Sequence, residues 1–195
     1  MAPFLISGAV FGQISGVLSF LSFVIYGIST LVGRTKPNRM TWWALACVNT
    51  ALAFSYFFAG ARDTVWIAVS YAAGSLIIAI LSIWHGEGGW EKLERLCIVA
   101  VLVNLFIWWI SHSAVIALVC NIAVDFFSLL PTIKKAHLNP RSESKSSWIL
   151  EAGSSLINLF AVERYSFAII IYPMYLFLAN TFIAALLFSK SSKKI

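Results

Sequence analysis

Asp125 and Glu151 are the two carboxylates of this 195-residue chain that fall inside hydrophobic runs. A charged side chain at the centre of a membrane helix costs about 2.5–3.5 kcal/mol on insertion scales, so an acid kept there marks a use. Asp125 precedes Pro131 by six residues, about 9 Å at roughly 1.5 Å per residue. Glu151 stands about five residues, roughly 7 Å, into the next run. The two depths are similar and are measured from the same side of the bilayer. No Lys or Arg lies within an apolar run to neutralise them. Acids so placed can take and release protons, as coupling to a proton gradient requires. The plainer alternative is that each acid is protonated, or meets a snorkelling Lys134 or Lys145, and only ties helices together.

Neutral polar residues line up with these acids. In the first run Ser15, Ser19, Ser22, Tyr26 and Ser29 recur at alternating spacings of four and three, on one helical face that Gly8 and Gly12 continue. The second run carries Trp42, Ala46, Asn49, Ala53 and Tyr56 on one face, and the fifth carries Asn121, Asp125 and Ser128. The sixth has Glu151, Ser154, Ser155 and Asn158; the seventh has Tyr172, Tyr175 and Asn180, with a kink expected at Pro173. Small and polar residues also serve close helix packing without any ligand. Polar faces on so many helices nevertheless point to a hydrated or ligand-lined centre. Asn49, Asn121, Asn158, Asn180 and Tyr172 are the expected substrate contacts, and Glu151 with Asp125 the proton-coupling pair. Trp42, Trp43 and Trp148 read as belt residues at the membrane interface, or else as a gate or stacking surface for a ring. His85, His112 and His137 are scattered over loops, and Cys47, Cys97 and Cys120 show no metal-ligand spacing. No metal site, cofactor or enzyme active site is therefore expected.

The elements that must position these residues follow from composition. The chain is 60% hydrophobic and only 11% charged, with a mean hydropathy of +0.86; a soluble domain has about 25% charged residues. The expected class is an all-α integral membrane protein. Seven runs approach the roughly 17–25 residues that span a bilayer: Ile6–Val32, Met40–Gly60, Thr64–Trp84, Leu96–Ile110, Ala114–Leu130, Ser147–Val162 and Ser166–Phe188. Each should be a helix, because lipid offers the backbone no partners. The net charge of +6 is spread over short loops, so a nucleic acid is not an expected partner. Of the fourteen Lys and Arg residues, all but Arg62 and Arg164 fall on one side, which predicts an outside N-terminus and a cytoplasmic C-terminus. The first residues lack a basic segment, so no cleaved signal peptide is expected. The expected setting is a multi-pass protein of the cytoplasmic (inner) membrane, with the bilayer and a small polar or ring-containing solute as partners. The glycines of the first run would suit a dimer face as well as an internal contact, which leaves a homo-oligomer open.

The chain also reads as two copies of three helices around a fourth. K-P-N-R-M-T-W-W opens the second run and N-P-R-S-E-S-K-S-S-W opens the sixth; a shift of 105 residues sets Trp43 on Trp148 and Lys36 on Arg141. Residues 1–84 form the first repeat, 85–113 the linker helix with its loops, and 114–195 the second repeat with a basic tail. One linker helix makes the repeats parallel, a known transporter plan with the site between the halves. This 3+1+3 layout, the Pro131-Thr132-Ile133-Lys134-Lys135 stretch and Ser147-Trp148 resemble the PQ-loop transporters and their SWEET relatives. Thr132 stands at the family's glutamine, and Tyr26 or its neighbours stand where the first copy would carry its proline. The resemblance implies small-solute transport by alternating access, with the acid of Glu151-Ala-Gly-Ser-Ser matching that of proton-coupled members and Asn180 matching a SWEET asparagine. A receptor or accessory protein on the same fold, binding without transport, is the alternative.

Overall fold

Long helices and no strand make up the residues described by the computed structural model: 7–88, 95, 99, 102, 103, 106, 107 and 109–189. The helices are α1 (Gly8–Leu31), α2 (Arg39–Phe58), α3 (Val65–His85), α4 (Ala114–Leu138), α5 (Lys145–Leu159) and α6 (Phe167–Ser189), with a 3-10 turn at Pro140–Ser142. The fourth apolar run of the sequence lies largely outside the described residues, and its described positions are helical. Six of the expected spans thus correspond to α1–α6, with ends shifted by up to a turn, save at the end of α4. That helix runs on through Pro131 for seven further residues. A proline removes one intrahelical donor without ending a helix that tertiary contacts hold on both sides, and the basic loop is shortened accordingly.

α1, α3, α4 and α6 are long and apolar enough to cross a membrane, so this is a membrane protein. α2 and α5 fall short of that measure. α5 has 15 residues, about 22 Å at roughly 1.5 Å per residue, against a hydrocarbon core of about 30 Å. α2 turns a buried face from Thr41 to Tyr56 toward other helices. A helix enclosed by protein needs less apolar surface than one facing lipid.

The packing has a simple exchange pattern. α3 packs against both α1 and α2, and α6 packs against both α4 and α5. Between these triples α1 meets α5 and α2 meets α4. Swapping the triples, first helix for first and second for second, reproduces these main contacts. Burial repeats residue by residue as well. Buried Ser15, Ser19, Phe23 and Tyr26 of α1 answer to buried Ala117, Asn121, Asp125 and Ser128 of α4 (117 − 15 = 102). Trp42, Leu45, Asn49 and Leu52 of α2 answer to Trp148, Glu151, Ser155 and Asn158 of α5 (148 − 42 = 106). Tyr71, Ser75 and Ile78 of α3 answer to Leu176, Asn180 and Ile183 of α6 (176 − 71 = 105). The buried partner of Trp148 is therefore Trp42, whereas Trp43 is 39% exposed. Two adjacent tryptophans let the sequence register slip by one, and burial corrects it.

α1 crosses the start of α3 at a distance only glycine allows. A Cβ on Gly12 would strike the backbone of Asp63, and one on Gly16 would lie 2.9 Å from Trp66 Cβ. Ser70 Oγ donates to Gly16 O at 2.7 Å across the same contact. The glycine row thus packs against α3, while Ser15, Ser19 and Ser22 turn to α5. The two rows are separate faces of α1, and the glycines make an internal contact.

Candidate functional site

A cavity lies where the two triples meet, with about 40 Å³ of room for the centres of water molecules. All six helices line it. α1 gives Ser22, Phe23 and Tyr26; α2 gives Trp42, Leu45 and Asn49; α3 gives Tyr71. α4 gives Asp125 and Leu129; α5 gives Ser147, Trp148 and Glu151; α6 gives Leu176, Ala179 and Asn180. The exchange pattern runs through the site: Phe23 answers Asp125, Leu45 answers Glu151, Trp42 answers Trp148 and Tyr71 answers Leu176. Both acids thus come from the second triple, opposite apolar side chains of the first.

Glu151 is 5% exposed and sits on the α1–α5 seam. Its carboxylate accepts from Ser19 Oγ at 3.1 Å, from Ser154 Oγ at 3.3 Å and from Ser22 Oγ. Ser155 Oγ donates to the Glu151 carbonyl at 2.7 Å and accepts from Asn180 Nδ2 at 2.8 Å. Asn180 Nδ2 also donates to the Tyr71 hydroxyl at 2.7 Å. One network therefore joins α1, α5, α6 and α3 through a single acid. Ser15 Oγ extends the seam, donating to Asn158 Oδ1 at 2.9 Å. On the α2–α4 seam Ala44, Val48 and Val124 pack together, and Asn121 Nδ2 donates to Ser55 Oγ at 3.1 Å.

Asp125, 3% exposed, is held differently. Its Oδ2 accepts from the Tyr175 hydroxyl at 2.6 Å, and its Oδ1 has no hydrogen-bond partner. Asn49, another lining residue, has its Oδ1 unpartnered too. Lys134 and Lys145 do not reach either acid: Lys145 Nζ lies over the Phe188 ring, 5.5 Å from its centroid.

Of the residues expected at a site, the cavity gathers Glu151, Asp125, Asn49, Asn180 and Trp148. Asn121, Asn158 and Tyr172 are buried behind its wall, where the two amides bond other helices and the Tyr172 ring packs on Tyr56 at 5.1 Å. Pro131 lies within α4, a turn from the wall. Trp42 and Trp148 face the interior at 5% and 7% exposure, so they line the cavity rather than form an interfacial belt. Among the described residues no group of His, Cys, Asp or Glu could hold a metal.

Contacts also join the two triples toward both ends of the helices. At the end with the basic loops, Glu143 accepts from the Tyr26 hydroxyl and from Trp148 Nε1, each at 3.2 Å. It also pairs with Lys135 Nζ at 3.1 Å. Lys135 further meets Glu87 at 3.2 Å and the carbonyl of Lys36, so one lysine binds the loops after α1, α3 and α4. At the other end the Tyr56 hydroxyl donates to Ile169 O at 2.7 Å and lies 2.7 Å from Thr64 Oγ1. Nearby, Arg62 N donates to Glu163 Oε1 at 2.7 Å. Glu143 was not singled out in the sequence, because an acid between two serines beside a lysine looks like any solvated loop residue.

Glu143 yields a prediction. Burial raises its carboxyl above the ordinary 4.5, more than Lys135 and the two donors draw it down. A carboxyl raised on folding contributes stability that is present below 4.5 and is lost as pH climbs through the folded value. Melting of the wild type should fall as pH rises above 4.5. Lys135→Ala should deepen that fall, and Glu143→Gln should flatten it. Melting curves between pH 4.5 and 7.5 read all three, and equal slopes would contradict the account.

The site and fold define a helical membrane protein with a small, mostly apolar cavity, lined by two acids, between two similarly packed triples of helices. No protein-family model, curated protein or solved structure matches the chain.

Proposed function

We propose that this protein is a small-solute transporter working by alternating access, with two three-helix halves rocking about the central cavity. The observation that carries the reading is the cavity itself, built from both triples by an exchangeable set of contacts and holding two acids without a lysine, arginine or histidine among its lining residues. Separate, breakable contacts toward the two ends fit the same cycle. Glu143–Lys135 would part to open the basic side, and the Tyr56 and Glu163 contacts to open the other. In this reading the fourth run is a linker helix, the halves are parallel repeats, the chain crosses the membrane seven times, and the basic loops face the cytoplasm. The resemblance to the PQ-loop and SWEET transporters belongs here too. The burial register sets Ser29 opposite Pro131 (131 − 29 = 102), so only the second half would carry the motif proline.

Glu151 changes protonation during the cycle, since of the two cavity acids it is the one whose described bonds reach side chains of both halves. Asp125 faces the solute. The test is uptake by proteoliposomes holding the purified protein, screened over solute classes, with and without an inward proton gradient. A solute that accumulates only with the gradient, and only with protein present, supports the reading. Saturable binding with no uptake of the bound solute under any gradient contradicts it.

A further inference from the structure

We infer that the cavity is built for an organic cation bearing N–H groups, a protonated primary or secondary amine, held by Asp125 and Asn49 against an aromatic wall. Two lining residues have a side-chain oxygen without a partner, Asp125 Oδ1 and Asn49 Oδ1; the amide oxygen accepts only, as does the carboxylate when ionised. Their residues are each 3% exposed, so they cannot turn to bulk water. A buried acceptor without a donor is costly, and a ligand that donates to both removes that cost. A sugar hydroxyl could donate to an amide oxygen. A bare carboxylate oxygen among apolar groups favours a donor that also brings positive charge.

The rest of the wall agrees. Phe23, Tyr26, Trp42 and Tyr71 form a connected aromatic cluster, with Tyr26 and Trp42 centroids 4.9 Å apart and Phe23 and Tyr71 centroids 5.3 Å apart. Aromatic faces attract organic cations. No lysine, arginine or histidine among the lining residues competes for Asp125. About 40 Å³ of room for water centres, where one water needs about 10–15 Å³, shows a small space beside these groups.

The two acids then divide the work. Glu151 is supplied with hydroxyl donors by Ser19, Ser22 and Ser154 and does not need the ligand. Asp125 has one oxygen tied to Tyr175 and one left for the solute. The inference rests on the transporter reading only for carriage of the cation; binding stands apart from it.

The test is thermal unfolding and calorimetric titration of the full chain in nanodiscs, at constant ionic strength, with ethylammonium, tetramethylammonium, sodium and potassium chlorides and with glucose. Ethylammonium should raise the melting temperature and titrate as one site. Tetramethylammonium, which has no N–H, sodium, potassium and glucose should bind at least tenfold more weakly. Asp125→Asn should weaken ethylammonium at least tenfold and Asn49→Ala several-fold, while Cys47→Ala, at an exposed residue away from the cavity, keeps it. If Asp125→Asn fails to fold, the wild-type ranking of the five probes decides. Equal or tighter binding of glucose, sodium or tetramethylammonium overturns the inference. Uptake of a neutral solute undiminished in Asp125→Asn also overturns it, and leaves the transporter reading standing. Ethylammonium that binds as described but is never carried upholds the inference and removes the transporter reading.

Discussion

Glu151→Gln is expected to abolish proton-driven accumulation, by about 100-fold or more, while leaving the protein folded. Glutamine keeps the side-chain length and one acceptor oxygen for Ser19 or Ser22, so most of the seam between α1 and α5 can re-form. Interhelical hydrogen bonds in membranes average only about 0.6 kcal/mol, so losing one costs little stability. The amide cannot exchange a proton, and the step in which Glu151 releases and regains one is lost. Solute exchange across the membrane at equal concentrations should therefore survive while uphill uptake does not. Glu151→Leu copies the residue at the matching position of the first half, Leu45, and strands the Ser19 hydroxyl, leaving Ser22 only its bond to the Ser19 carbonyl. It should lose both activities and melt several degrees lower. Proteoliposome uptake, run with a gradient and in exchange mode, separates the two outcomes. Full uphill uptake by Glu151→Gln would take Glu151 out of the mechanism.

The second large effect is structural. Gly12→Leu should prevent the protein from accumulating as a folded monodisperse species, because a Cβ at this position meets the backbone of Asp63 rather than a side chain that could turn aside. Overpacking a tight contact costs about 1–3 kcal/mol where neighbours can yield, and more where the obstacle is backbone. The α1–α3 contact would have to open along the whole glycine row. Gly153→Leu is the control: its added Cβ meets nothing within 4 Å, although the residue lies in α5 beside Glu151's serines. Size-exclusion profiles of the two variants should differ sharply. Matching profiles would show that α1 does not lie against α3 as closely as described.

How much of this was legible beforehand depends on what made each residue conspicuous. Asp125 and Glu151 stand out because nearly everything around them is apolar, and Asn49 and Asn180 because amides are costly in lipid. The same cost says nothing of which way an amide points. Asn121 and Asn158 look identical in the sequence, yet they bond neighbouring helices instead of lining the cavity. Helix extents follow apolar length except where α4 passes through Pro131, since tertiary contact overrides a local break. The match of Trp42 to Trp148 needed burial, because adjacent tryptophans satisfy two registers equally. Glu143 could not be found by hydropathy, because its loop is polar and only the fold buries it among Tyr26, Lys135 and Trp148.

Alternating access is tested most directly by asking from which side Asn49 can be reached. The probe is Asn49→Cys in a chain with Cys47, Cys97 and Cys120 replaced by alanine, labelled with a membrane-impermeant maleimide. One lock joins cysteines at Lys36 and Ser142, whose backbones meet at 3.4 Å on the basic side. The other joins cysteines at Arg62 and Glu163, in contact at the opposite end. Labelling from the basic side should vanish with the first lock and persist with the second. Labelling from the far side should show the reverse. A cysteine at position 49 that stays reachable from one side whichever lock is closed, or that is reachable from neither side when both are open, would contradict the account.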